Sequence, residues 1–411
     1  MVNILIALSY APFPVRRGID RLVENLIEGL AARHRVVLVT MHLDVEAGRH
    51  LERIERENVS IRSMLAPHRR SVAHRFFYKA KNLCRAALTG IPPGVLYAAP
   101  PPYLDLIERT ARDERIDLVI AFYWHLADLP RRIPDVPLAL ATMDLDYLVH
   151  PERVRRIRSP LRRAVARIDC RMRERAEWTA YGRYRTILAV TGADASRLRG
   201  ERAMAGKTVL TLPLAIDLGR YDPSAFTREE DRLLMLGAFD SDFNRDALSF
   251  MLRDVFPLVL RRRPGAVLEI VGQGAGPVLV ESDARNVRYT GVVDDIRPHL
   301  GACSLMALPL RFGGGVRIRM MEAAAMAVPV VSTPRGVAGM GLVAGRDYLE
   351  ALEPERMAET IVHLLENPDA AAGIGSNARR WVEEHYAMAG YSERLDALIA
   401  DVERSFSKRR I

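Results

Sequence analysis

The stretch LPLRFGGGVRIRMMEAAAMAVPVVSTPRG, residues 308–336, decides the fold class. It opens on an apolar run that ends at Pro309, as a buried strand does. Three glycines follow, Gly313, Gly314 and Gly315, and they let backbone come close to a ligand. A helix is expected from about Val316, and its free N–H groups and positive dipole end suit a phosphate. Arg317 and Arg319 fall in its first turn, where an isolated helix prefers acids. An anion bound there would offset that cost. Glu322, one turn after Arg319 on the same face, is placed to pair with that arginine or to accept hydrogen bonds from sugar hydroxyls. Three glycines alone would read as a flexible turn. The succession of strand, glycine loop, basic helix, glutamate and second strand is more specific.

Outward from this unit, short Val, Ile and Leu runs alternate with helical patterns. Expected strands are Asn3–Ser9, Val36–Thr40, Asp117–Phe122, Pro137–Thr142, Thr186–Val190 and Thr208–Leu212 in the first half. The second half offers Leu233–Gly237, Ala266–Val271, Val287–Thr290, Ser304–Pro309 and Pro329–Ser332. Nearly all-apolar strands belong to parallel sheets covered on both faces. Amphipathic helices are expected at Asp246–Arg262 and Met320–Ala327, and Asp369–Arg410 reads as helical. Two such runs in 411 residues imply an α/β protein of two doubly wound, Rossmann-like domains. The polar, proline-containing stretch at residues 212–232 marks their boundary. We expect domains at 1–222 and 223–384, with residues 385–411 packing back on the first.

Composition narrows the class. Sixty Lys and Arg against fifty-one Asp and Glu give a net charge of +9, which favours anionic partners without choosing among them. Two basic stretches, residues 68–85 (with Phe76, Phe77 and Tyr78) and residues 153–175, suit either a solvated helix face or an anionic membrane surface. No nucleic-acid motif accompanies the charge, so nucleic acid is not expected as a partner. No apolar run of about 18 residues occurs, so no transmembrane helix is expected, and the apolar N-terminus reads as a first strand. Cys84, Cys170 and Cys303 form neither a CxxC pair nor a metal-ligand cluster, which fits a reducing cytoplasm. GQGAG, residues 272–276, lacks the GK[ST] of a phosphate-binding P-loop. His125, in AFYWHLADLP, and Asp144 and Asp146, in TMDLDYLVH, follow expected strands. Ligands gather at that edge of a parallel sheet. The histidine reads as a site residue or a structural one. The aspartates read as an acceptor-orienting pair with a candidate base, or as loop and helix-cap residues.

The segment 308–336, with residues 287–315, 266–276, 11–40, 185–198 and 212–223, resembles glycosyltransferase family 4, whose fold is GT-B: two Rossmann-like domains facing across a cleft. The resemblance covers most of the chain. It implies that the second domain binds a nucleotide sugar and the first an acceptor, which would be a glycan, a lipid-linked molecule or a small molecule. Glu322 would hold the ribose. Gly313, Gly314, Gly315 and Val316 would line the diphosphate and sugar, and Gly291, Val292 and Val293 the base. Gly18 would lie against the phosphates or acceptor, and His125 near the sugar. The turn LGAFDSDFNRDA, residues 236–247, would contribute Gly237, with Ala238 where the family has Arg and Arg245 nearest to its Lys. The first glutamate of the Glu-x7-Glu motif is replaced by Gly314, and Leu214-Ala215 stands where Asn-Gly is usual. A branch with a GGG-x-R-x-K/R-x-x-E-like signature shares this pattern, and Arg317 and Arg319 would supply the lost charge.

The implied activity is sugar transfer with retention, using no metal and no cofactor beyond the donor, in the cytoplasm or at the inner membrane face. Asp144 would be a candidate base. A nucleotide-sugar epimerase of the same fold and a non-catalytic nucleotide-sugar-binding module are the alternatives.

Overall fold

The computed structural model describes residues 1–407 except Arg16, Arg53, Arg70, Ser71, Arg158, residues 281–285, Gly315 and Val316, and it leaves the side chains of Val45 and residues 72–75 undescribed. The chain divides into two compact units. The first holds Met1–Pro14, Val23–Leu214 and the chain from Gly390 onward, and the second holds Val15–Leu22 and Ala215–Ala389. The crossing at 214/215 precedes the expected 222/223, and the return falls at Gly390 rather than at 385.

In the first unit, β1 (Asn3–Leu8), β2 (Arg35–His42), β3 (Val59–Leu65), β4 (Leu118–Phe122), β5 (Leu138–Thr142), β6 (Thr186–Ala189) and β7 (Thr208–Thr211) form one sheet in the order β3-β2-β1-β4-β5-β6-β7. Every pairing is parallel. The order reverses between β1 and β4, and such a switch point opens a crevice at the carboxyl ends of the strands. β1 and β4 are apolar because both faces are covered, and Ile4 to Leu8 are fully buried. The edge strand β3 was not expected from the sequence. NVSIRSML alternates polar with apolar, and Arg62 reaches sideways to Glu114 at 2.7 Å.

In the second unit, β8 (Arg232–Leu236), β9 (Val267–Val271), β10 (Val287–Gly291), β11 (Leu305–Leu308), β12 (Val330–Ser332) and β13 (Leu349–Glu350) run in the order β10-β9-β8-β11-β12-β13, again parallel. The switch point lies between β8 and β11. Two residues of β13 are too few to leave a pattern.

Three helix expectations need correction. The helix expected at Asp246–Arg262 starts earlier, as Asp242–Phe250, passes through a π-helical turn at Met251–Val255 and resumes as Phe256–Arg262. Pro257 lacks the N–H that would reach back one turn, and its ring crowds the Arg253 carbonyl, so the ladder widens there. The helix expected at Met320–Ala327 is Ile318–Ala325, because Ala327 turns to φ +50 ahead of Val328 and Pro329. The C-terminal helix is two, Pro368–Tyr386 and Tyr391–Ser407, broken where Gly390 takes φ +68. The last helix is held in the first unit. Tyr391 packs under Gly29 and donates to the Pro213 carbonyl at 3.2 Å, while Asp396 meets Arg33 and His34, each at 2.7 Å.

One glycine ties together the strand ends of the second unit. Gly272 has φ +128, and a Cβ built on it would stand 1.9 Å from the Gly237 carbonyl oxygen. Its N–H donates to the Gly291 carbonyl at 2.7 Å, so this point joins the ends of β8, β9 and β10. Replacing Gly272 with Ala is expected to cost about 3 kcal/mol, from backbone strain plus the clash. Urea denaturation measures it; a loss below about 0.5 kcal/mol would show that the turn is not constrained.

Candidate functional site

In the second unit, the loops after β8 and β11 flank the switch point and carry most of the expected residues. The loop after β11 is pinned by Thr333, whose hydroxyl donates to the Leu310 carbonyl, and by Arg311, which forms a two-pronged ion pair with Asp246 at 2.6 and 2.8 Å. Gly313 follows at φ +104. A Cβ there would lie 3.1 Å from the Arg317 guanidinium and 3.3 Å from the Phe243 ring, so the glycine makes room for both.

The basic helix begins at Ile318 rather than near Val316, so Arg317 is its cap residue and Arg319 lies in its first turn. Gly315 and Val316 lie outside the described residues. Arg317 is buried, donates to the Gly314 carbonyl and sits over the Phe243 ring, 5.4 Å from its centroid. Arg319 turns inward to the Leu236 carbonyl at the end of β8, against Gly237. Burial, and after it the Arg317 cation, lower the Arg319 pKa to about 9, against the pull of Glu322. Two cations are thus held together at the carboxyl edge of the sheet, with little water to screen them.

Glu322 is also buried, and it accepts from the Tyr221 hydroxyl at 3.1 Å. Arg21 approaches the same oxygen at 3.7 Å. Burial, then the Glu322 carboxylate, hold the Tyr221 hydroxyl well above its usual pKa. Gly18 opens the helix Gly18–Ala31, and a Cβ on it would meet Ile318 at 3.2 Å. Gly237 donates to the Val271 carbonyl at 3.0 Å, and Phe239 to that of Gln273 at 2.7 Å. Gly291, at φ +79, joins this shelf through Gly272, and Val292 beyond it is half exposed. Val293 follows, partly buried.

Arg245 does not join the arginine pair's hydrogen bonds. It is exposed on its helix and donates to the Asp240 carbonyl at 2.8 Å. The preceding Asn244 points inward, its amide filling the Ala238 carbonyl at 2.9 Å, while its buried Oδ1 has no hydrogen-bond partner among the described residues. Phe243, Asn244, Tyr221 and Arg21 were missed in the sequence. Their roles come from contacts between distant segments, which leave no local pattern.

The first unit carries a second cluster after β4 and β5. Tyr123 takes φ 71, which is costly for a bulky residue, and this kink starts the turn Trp124–Leu126 that contains His125. The His125 ring lies 4.4 Å from Trp124 and stacks on Tyr123 at 5.9 Å. Asp146 is the first residue of the helix Asp146–Arg155, not a loop acid, and accepts from the Trp124 indole at 2.7 Å. Asp144 closes the turn before it, its carbonyl accepting from Thr142 at 2.7 Å.

Beneath lies Glu177, which the sequence reading passed over at the end of an arginine-rich helix. Its carboxyl accepts from the backbone N–H of Asp146 at 3.0 Å and of Tyr147 at 2.6 Å, and from the Tyr181 hydroxyl at 2.7 Å. Burial, then Asp146, push its pKa up to about 8 against these three donors.

Both units therefore show the Rossmann-like α/β architecture that the sequence reading expected. Within the second, residues 230–367 match the family described as Glycosyl transferases group 1. The chain is 26% identical over 215 residues to a GDP-mannose-dependent monoacylated alpha-(1-6)-phosphatidylinositol monomannoside mannosyltransferase of Corynebacterium glutamicum, covering 46% of this chain and 55% of that one. It is 29% identical over 199 residues to a GDP-mannose-dependent alpha-(1-6)-phosphatidylinositol monomannoside mannosyltransferase of Mycobacterium tuberculosis, covering 42% and 50%. The match spans about half the length of these curated relatives. Among solved structures, sucrose-phosphate synthase from Thermosynechococcus elongatus superposes with a TM-score of 0.72 at 14% identity, covering 98% of this chain and 100% of that one. Anabaena Alr3699/HepE in complex with UDP-glucose gives 0.65 at 16% identity, with 98% and 100% covered. These likenesses support the fold.

Burial, first of all, lowers the His125 pKa from 6.5 to about 4; the charges of Arg173 and His150 add to this and Asp146 opposes it. The folded state then binds fewer protons than the unfolded chain between these values. The contribution to stability is full above about pH 6.5 and is lost as pH falls toward 4. A His125→Gln variant should show a flatter fall in stability than the parent between about pH 6.5 and pH 4 by urea denaturation. Parallel pH profiles would mean that the ring is not desolvated.

Proposed function

We propose that the chain is a nucleotide-sugar-dependent glycosyltransferase that moves a sugar to an acceptor hydroxyl with retention at the anomeric carbon. The observation that carries this reading is the pair Arg317, buried, and Arg319, half-buried, two like charges side by side at the switch point between β8 and β11. A diphosphate bound there would relieve their repulsion.

The demand of the reaction is departure of that diphosphate. As the bond from the anomeric carbon to the phosphate oxygen breaks, negative charge grows on the leaving group, and fixed cations stabilise it. The acceptor oxygen bonds to the anomeric carbon from the face that the diphosphate leaves, and its proton passes to the departing phosphate. Arg317 and Arg319 supply the charge without a metal. Glu322, aligned by Tyr221, accepts hydrogen bonds from the ribose. The shelf of Gly237 and Gly291 to Val293 receives the base, with Gly313 and Gly314 beside the diphosphate and Gly18 beside the phosphates or acceptor. In the first unit, His125 is neutral at physiological pH, with a ring nitrogen able to accept a hydrogen bond, and Asp144 and Asp146 order its surroundings.

Two relatives are named as GDP-mannose-dependent enzymes acting on phosphatidylinositol monomannosides. GDP-mannose is therefore the first donor to test, and a lipid-linked glycan the first acceptor. UDP-glucose, present in a complex of a structural neighbour, is the second donor.

Arg319→Met is expected to cost no more than about 1 kcal/mol in the unliganded protein, because it removes a desolvated charge. It should cut sugar transfer by roughly 10²–10³-fold, and Arg317→Met similarly. Rates near those of the parent in both variants would sink the assignment. Conversion of the donor without acceptor would indicate an epimerase, and tight donor binding without turnover a binding module.

A further inference from the structure

Two basic helices of the first unit carry apolar side chains that the fold leaves uncovered. Seven of the fourteen large apolar side chains that stand exposed among the described residues lie on them. On the helix Pro160–Arg183, Leu161, Val165 and Ile168 are 76%, 62% and 62% exposed. Their spacing of four and three residues puts them in one stripe. Arg162, Arg167 and Arg171 are exposed on the flanks of that stripe. Over residues 160–171 the lone acid, Asp169, is occupied by Arg173 at 2.6 Å. On the helix Val72–Thr89, Phe76, Phe77, Leu83 and Leu88 are exposed, with Lys79, Lys81 and Arg85 among them and no acid. The short helix Pro93–Ala98 touches both: Tyr97 lies 6.4 Å from the Tyr78 ring, and a Cβ on Gly94 would meet Arg173 at 3.4 Å.

We propose that these two helices form a docking surface for an anionic lipid bilayer. The apolar stripe would enter the boundary between headgroups and acyl chains, and the flanking arginines and lysines would reach the lipid phosphates with their stems along the apolar surface. The charge decides the occupant. A second copy seated on the same surface would bring cation against cation. A nucleic acid would satisfy the charge but leave the aliphatic Leu161, Val165, Ile168, Leu83 and Leu88 with no bases to stack on. A bilayer of anionic lipid matches both features. No helix among the described residues is long and apolar enough to cross a membrane, so the contact is with the surface. The proposal stands on the first unit alone and does not require the enzymatic reading. Together with that reading, it would bring the acceptor-binding unit to a lipid-linked substrate.

The test is co-sedimentation of the full chain with vesicles of phosphatidylcholine, and of phosphatidylcholine mixed with phosphatidylglycerol. Pelleting is expected with the mixed vesicles only, and it should weaken as salt rises. Arg162→Gln/Arg167→Gln/Arg171→Gln should lower partitioning roughly a hundredfold. Leu161→Ser/Val165→Ser/Ile168→Ser should lower it at least tenfold (an order-of-magnitude figure) even at low salt, where a purely electrostatic contact would survive. All six positions are exposed or flank exposed stripes, so both variants should keep the parent's melting temperature and GDP affinity. That keeps a failure here distinct from a failure of the glycosyltransferase reading. Equal pelleting with both vesicle types, pelleting unaffected by the serine variant, or a dimer in light scattering that the serine variant dissociates without any vesicle binding would each overturn the proposal. So would binding of a short DNA duplex as tight as that of the mixed vesicles.

Discussion

Arg317 and Arg319 are held close enough to repel each other, one buried and one half-buried, with Glu322 opposing the repulsion, and the second unit is arranged around that constraint. Each guanidinium is steadied by a backbone carbonyl, that of Gly314 for one and of Leu236 for the other. Phe243 lies under the first, and Gly237 lacks the side chain that would collide with the second. Carbonyl dipoles, an aromatic face and the pull of the Glu322 carboxylate together hold the two cations in place. Arg311, a few residues earlier, is taken by Asp246 in a two-pronged pair and holds the loop.

The first unit solves a different problem with a similar economy. A single carboxyl, Glu177, caps the start of the helix Asp146–Arg155 by receiving two backbone N–H groups. That fixes Asp146, which holds the Trp124 indole, which packs on His125. The strained backbone at Tyr123 completes the turn. Strain of this kind persists where the surroundings over-determine it, and the chain of contacts from Glu177 to His125 does so.

The sequence made most of the sheet order's raw material legible, because strands covered on both faces must be apolar throughout. It hid β3, whose outer residues answer to solvent and to Glu114, and β13, which is two residues long. The cationic helix after the glycines was legible as a cluster of like charge where a helix prefers acids. Its start shifted two residues, and Arg317 became a cap. Arg245, read as a replacement cation, faces outward, and the inward position beside it belongs to Asn244. The partners of Glu322 come from Tyr221 and Arg21, some hundred and three hundred residues away, so no local spacing announces them. Glu177 lay in an arginine-rich helix whose composition suggested a solvated face, and one turn of that helix is buried nonetheless.

The central claim is that the two arginines exist to hold a diphosphate. Calorimetric titration of the unaltered protein with guanosine, GMP and GDP tests it most directly. If the pair grips the diphosphate, affinity rises at each added phosphate, GDP binds at least tenfold more tightly than GMP (an order-of-magnitude expectation), and the gain shrinks as salt is raised. If guanosine, GMP and GDP bind alike, or if neither GDP nor, in a parallel titration, UDP binds more tightly than its nucleoside, the cations serve the fold alone and the account is wrong.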